Sequence, residues 1–246
     1  AKGKSHVALV GKGLCFDTGG YDVKTGGWML NMKGDMQGSA VALSTMMTAA
    51  HLKLPIKLKT FLGVTANHLS PKAYTCDEVV VALNGVAIEV INTDAEGRMV
   101  LADTLCLADR SKPMMIVDFA TLTGSAVRSL GNAYAAGFTN QDKLHGPIVN
   151  CGKESGERVW TFPMDSDYGD ALKSPIADTI QCAKSGAPDH ILAAIFLKKF
   201  VEDKTPWVHI DLAAAEKEGG LAHIDGFYTG FGVRWAIEFI RHHFKV

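Results

Sequence analysis

Four carboxylates stand out by their surroundings: Asp17 in VGKGLCFDTGG, Asp35 in MKGDMQ, and Asp94 with Glu96 in NTDAEGRM. Oxygen donors gathered from separate loops suit hard or borderline divalent cations. Carboxylates shared by two cations about 3.5–4 Å apart are a recurrent hydrolytic device. The glycines around Asp17 let the backbone bend closely around a small object, a phosphate or a metal. A phosphate loop would read GxxxxGK[ST] and a dinucleotide fold GxGxxG; neither order occurs here.

Each residue also has a plainer reading. Asp94 and Glu96 are two apart, so in an extended segment both carboxylates point the same way. An Asp at a strand end before a helix equally suits an N-cap with a capping box. Arg98 beside the pair fits a simple salt bridge, and Lys12 alone reads as a surface lysine. The three clusters contain no His and no further carboxylate to act as general base.

Taken together, VGKGLCFDTGG, the Lys24 position, KGDMQGSA, ATLTG and above all NTDAEGRM resemble the leucine aminopeptidases. The family's octapeptide usually ends in Leu where this chain has Met99. Its DMGGAA reads here Asp35-Met36-Gln37-Gly38-Ser39-Ala40, and Thr18 replaces the usual Ser. The resemblance runs from the first strand to the last helix and corresponds to the C-terminal half of a full-length member. It implies that residues 1–246 are the catalytic domain, with the family's N-terminal domain absent from this chain.

The resemblance further implies two divalent ions per subunit, zinc foremost, with manganese, magnesium or cobalt accepted at the looser position. Lys12, Asp17, Asp35, Asp94 and Glu96 would be the ligands, Asp17 and Glu96 bridging. Lys12 would bind as the neutral amine, its pKa pulled down by burial and adjacent cations. Lys24 would stay charged and polarise the scissile carbonyl, and Arg98 would hold a bicarbonate ion that relays the proton. Met32, Thr121, Leu122 and Gly124 match an apolar pocket for the first side chain, closed by Tyr228-Thr229-Gly230. Such a pocket favours leucine-like residues, although Met32 alone equally suits a core. The implied activity is removal of the N-terminal residue from peptides by a cytoplasmic homo-hexamer. The alternative is an idle member serving as a DNA-binding or structural subunit, and the intact ligand positions argue against it.

These residues need a scaffold that brings distant loops together. His6–Val10, Leu58–Thr65, Met114–Phe119 and Val208–Leu212 read as buried strands. Val79–Leu83 and Val86–Ile91 flank Asn84-Gly85 and predict a hairpin. Helices are expected over 36–52, 99–109, 141–156, 189–202 and 232–244. The segment 11–27 reads as a long loop and ATLTGS as a turn. Alternating strands and helices predict an α/β fold, with a mixed, mainly parallel sheet sandwiched between helices. No repeat and no boundary divides the chain.

Composition limits the function classes. The 246 residues are 47% apolar with a net charge of −1, so no global charge favours nucleic acid or an anionic membrane. No run approaches the roughly 20 apolar residues of a membrane span. The opening AKGKSHVALVG is too short and polar for a signal peptide, and suggests a chain cut from a longer one. Five cysteines without a CxxC pair point away from zinc fingers and redox dithiols and towards a reducing compartment. Cys15 and Cys106, among apolar neighbours, are expected to be buried. His209 in VHIDL reads as a core histidine, and Asp211 is left open as a support for the site.

Overall fold

In the computed structural model, which describes residues 5–184 and 188–246, nine strands alternate with six helices. The strands are β1 Val7–Asp17, β2 Leu58–Asn67, β3 Val79–Val81, β4 Ala87–Glu89, β5 Met115–Ala120, β6 Ala135–Thr139, β7 Val159–Thr161, β8 Thr179–Ile180 and β9 Trp207–Asp211. The helices are α1 Gln37–His51, α2 Glu96–Arg110, α3 Gly124–Leu130, α4 His145–Ser155, α5 Asp189–Lys198 and α6 Val233–Phe244. Six strands form the main sheet in the order β2-β1-β5-β9-β6-β7. All its pairings are parallel except β6 with β9. A smaller sheet, β3-β4-β8, holds the hairpin, whose Gly85 takes a φ of +92°. The α/β expectation therefore holds.

Side chains alternate across the central strands as the pleat requires. Val7 and Leu9 of β1, Met115 and Val117 of β5, and Val208 and Ile210 of β9 pack with Val41, Ile148 and Trp235 from α1, α4 and α6. Ala8, Val10, Ile116 and Trp207 face the other way, against Leu101 and Leu105 of α2 and Phe196 of α5. Both faces of the sheet are thus covered, which parallel strands require. Polar groups pair on the second face: Trp207 Nε1 donates to Asp118 Oδ2 at 2.6 Å, and His209 Nδ1 lies 2.6 Å from Asp118 Oδ1, while His209 Nε2 has no hydrogen-bond partner among the described residues. His209 is a core histidine, as expected.

Several local expectations are corrected. The strand that was to end at Val10 runs on to Asp17, because Gly11–Leu14 keep pairing with Leu62–Thr65 of β2 through the glycine-rich stretch. Only the part after Asp17 is loop. β2 is an edge strand with many exposed side chains, not a buried one. ATLTGS is a turn only up to Thr123, whose hydroxyl accepts from Ala126 N at 3.1 Å and caps α3. Cys15 is exposed, since it falls in the register shift between Leu14 and Asp17; Cys106 is buried, and all five thiols are free. No helix among the described residues is long and apolar enough to cross a membrane. The opening residues 1–4, part of the segment judged unlike a signal peptide, lie outside the described residues.

Candidate active site

The parallel strands deliver their carboxyl ends to one edge of the sheet, where ligands of open α/β folds collect. A cavity of about 840 Å³ opens there. Lys12, Asp17, Lys24, Met32, Asp35, Asp94, Glu96, Arg98, Thr121, Leu122 and Gly124 all line it. These residues, singled out in the sequence, are therefore brought to one place, whereas Tyr228, Thr229 and Gly230 do not line the cavity.

β1 supplies two of them. Lys12 is 3% exposed; its Nζ lies 2.7 Å from Asp35 Oδ1 and 3.4 Å from Glu96 Oε1, and donates to the Thr121 carbonyl at 2.9 Å. Gly97 makes this approach possible, because a Cβ there would sit 2.6 Å from Lys12 Nζ. Asp17 Oδ1 accepts from Gly19 N and from Asn67 Nδ2, both at 2.8 Å. The loop after Asp17 is clasped to Thr93, which donates its hydroxyl to Gly19 O at 2.6 Å and accepts from Asp22 N at 2.7 Å. That clasp brings Lys24 Nζ to 2.9 Å from Asp17 Oδ2 and 2.5 Å from Asp94 Oδ1.

Glu96 opens α2, where the helix N-terminus favours a negative charge. No side chain caps α2, so the capping-box reading of Asp94 and Glu96 is not what the chain adopts. Carboxylate oxygens of Asp17, Asp94 and Glu96 lie within 4.8 Å of one another. Asp35 Oδ1 also accepts from Thr121 Oγ1 at 2.7 Å, while its buried Oδ2 has no hydrogen-bond partner among the described residues.

Charge is crowded here. Burial, then Asp17 and Asp35, push Glu96 up to about 7 against the pull of Lys12. Burial likewise raises Asp35 and Asp94. For Lys12 burial acts downward, but Asp35, Glu96 and Asp17 outweigh it and hold the ammonium above the ordinary lysine range. Lys24 is raised the same way by Asp94 and Asp17. Four carboxylates against two ammonium groups leave an excess of two negative charges. An unpartnered buried oxygen, converging carboxylates and surplus negative charge together fit divalent cations. Asp17, Asp35, Asp94 and Glu96 are the oxygen donors available, and Lys12 the nitrogen donor.

Arg98 is buried beside this cluster. Its Nη1 donates to Gln181 O at 3.0 Å and its Nη2 to Asp189 Oδ2 at 2.8 Å, while Nε has no partner among the described residues. Asp211 accepts from Leu122 N, Thr123 N and Thr123 Oγ1 at 3.1, 3.3 and 2.7 Å. It therefore fixes the Thr121–Gly124 wall, a supporting role. Met32, Leu122, Val127 and Phe227 give the cavity an apolar side. Tyr228 bridges to Glu216, and Thr229 N donates to Ala215 O, so the 228–230 segment lies against that wall.

Four site residues have no motif of their own. Asn67 Nδ2 contacts Asp17, the Thr93 carbonyl and Glu96 Oε2, the last at 3.4 Å. Asp189 brings to the cavity the spare carboxylate that the clusters lack. Tyr74 has a buried hydroxyl without a hydrogen-bond partner among the described residues, raised first by burial and then by Glu96, Asp17 and Asp94. Glu216 lines the cavity near Asp35. Sequence signals for them are faint: Asn67 ends a strand, and Asp189 begins a helix.

Residues 1–237 match the family described as "Cytosol aminopeptidase family, catalytic domain". The chain is 43% identical over 234 residues to the "Probable cytosol aminopeptidase 1" of Shewanella oneidensis, covering 94% of this chain and 47% of that protein. It is 43% identical over 242 residues to the "Probable cytosol aminopeptidase" of a Geobacter species, covering 98% of this chain and 49% of the relative. Among solved structures, the "Bottromycin maturation enzyme BotP" superposes with a TM-score of 0.91 at 36% identity, over 98% of this chain and 53% of that one. The chain thus spans about half the length of the relatives it matches. On sequence, on fold and on the residues gathered at its sheet edge, this chain belongs to the cytosol aminopeptidase family.

Proposed function

We propose that this chain carries the active site of a two-metal aminopeptidase that hydrolyses the first peptide bond of peptides. The observation that supports this most is the convergence of Asp17, Asp94 and Glu96 oxygens within 4.8 Å, with Lys12 and Lys24 beside them. Asp17, Asp35, Asp94, Glu96 and Lys12 would hold two divalent ions; the carboxylates that keep Lys12 protonated would then be neutralised by the cations, and burial would favour its neutral amine. Zinc is the foremost candidate, with manganese, magnesium or cobalt at the more exchangeable position. Such ions supply acidification of water and polarisation of the scissile carbonyl.

The chain's own groups do the rest. Lys24 keeps its charge between Asp17 and Asp94 and faces the cavity, where it stabilises negative charge developing on the carbonyl oxygen. A free α-amine, with the lone pair that an acylated terminus lacks, would be a further donor to the more exchangeable ion; this favours exopeptidase over endopeptidase action. Met32, Thr121, Leu122 and Gly124 receive the first side chain, and the apolar wall suits an aliphatic, leucine-like stem. Arg98, with Nε unpartnered, is the proposed holder of bicarbonate as proton relay, and Asp189 shares the guanidinium. A homo-hexamer is proposed as the assembly, in keeping with Trp28 and Leu30, which stand 78% and 76% exposed on the loop between Lys24 and Met32. A cytoplasmic setting accords with the relatives' names and the five free thiols.

The test is metal content by elemental analysis, followed by hydrolysis of leucyl-4-nitroanilide with and without an N-acetyl group. Two metals per chain, and cleavage of the free-amine substrate alone, are expected. Glu96→Gln should lose both metal and activity. Cleavage that survives exhaustive chelation would sink the proposal.

A further inference from the structure

We propose that Glu216 makes this cavity select a first side chain with a cationic tip, that of lysine or arginine. The inference rests on the aminopeptidase reading of the same cavity and sharpens its substrate class.

Glu216 follows β9 and lines the cavity with Met32, Gly34 and Asp35. Its side chain is built into the wall. Gln37 Nε2 donates to Glu216 Oε1 at 3.2 Å. Gly34 leaves the space it needs, because a Cβ there would overlap Oε1. Tyr228 pairs with it across an isolated bridge, and that ring too would be met by a Cβ at Gly34. Gln37 is the residue that departs from the family's usual glycine, and here its amide has a defined partner. The departure and the carboxylate form one unit.

The carboxylate is half-buried and has no cationic partner. Lys217 and Arg128 also line the cavity, yet neither is in an ion pair with Glu216 among the described residues. A leucine side chain pressed against this wall would strip water from a carboxylate and return no hydrogen bond, which is unfavourable. A lysine or arginine side chain does better on both counts. Its methylenes lie along Met32 and Phe227 as an aliphatic stem would, and its tip forms a charge-assisted hydrogen bond with Glu216. A glutamate side chain would meet like charge. The apolar wall and the acidic end thus describe one ligand shape, a greasy stem with a positive tip.

The experiment compares kcat/KM of the metal-supplemented chain on lysyl-, arginyl-, leucyl- and glutamyl-4-nitroanilides for wild type, E216M and E216Q. A second readout is the shift in thermal midpoint with L-lysinamide against L-leucinamide. Wild type should favour lysyl and arginyl over leucyl by on the order of tenfold, with glutamyl poorest. Both variants should erase that ratio, E216M reversing it in favour of leucyl; E216Q preserves the side-chain shape should E216M fold poorly. A leucyl preference that E216Q leaves unmoved, with no lysinamide-specific stabilisation, overturns the proposal. Absence of all hydrolysis, with lysinamide stabilisation that depends on Glu216, would instead overturn the aminopeptidase reading and leave the selectivity standing.

Discussion

Lys24 is fixed before any substrate arrives, held by Asp17 and Asp94 and only 15% exposed. A preorganised cation of this kind acts on charge that appears in the transition state. Lys24→Met should therefore lower kcat by roughly 10²–10³-fold, the usual loss for one oxyanion donor, with KM little changed. Steady-state kinetics on an aminoacyl amide checks this; a raised KM with intact kcat would assign Lys24 to ground-state binding instead. At this scale the sequence was informative wherever residue type and a glycine-rich setting coincided, as for Asp17, Asp35, Asp94 and Glu96. Asn67, Asp189 and Glu216 carry no such mark. Each is an ordinary polar residue whose part comes from tertiary proximity, to Asp17 and Glu96, to Arg98, and to Gln37.

Between β5 and β9 a buried polar pair links two elements that hold the site's edge. Burial alone would depress His209, but Asp118 outweighs it and the histidine stands above its usual value. Relative to the unfolded chain, the pairing with Asp118 favours the protonated form. Its stabilisation is fully present below the unfolded pKa of about 6.5 and is lost as pH rises through the higher folded value. Urea unfolding of wild type and His209→Gln between about pH 5.5 and 8.5 should show the wild-type advantage shrinking towards the alkaline end. A constant difference would mean that His209 is neutral throughout. The apolar runs of β5 and β9 and the composition of helices α1, α2 and α6 were readable in the sequence. β6 and β7 were not, since AAGFT is mostly small residues with a glycine at its centre and VWT has only three residues. α3, with seven residues opening on glycine, gives too little helical pattern to separate from a turn.

The molecule as a whole concentrates negative charge at one edge of its main sheet. Cations that bind the folded state alone add stability by mass action, about 2.7 kcal/mol at a hundred times the dissociation constant. For a domain of this size that is roughly 5–10 °C in the thermal midpoint. Chelation should lower the midpoint by that amount and zinc should restore it, as followed by differential scanning fluorimetry. An identical midpoint in both states would remove the metals from the account.

The order of the main sheet has a consequence in time. β1 carries Lys12 and Asp17, yet one of its two neighbours, β5, begins only at Met115, and the β9 that braces β5 begins at Trp207. On the ribosome, the cavity residues from Lys12 to Arg98 emerge long before the strands that hold them in register. The sheet edge that gathers these residues is therefore complete only once Trp207–Asp211 has joined β5, close to the end of the described residues.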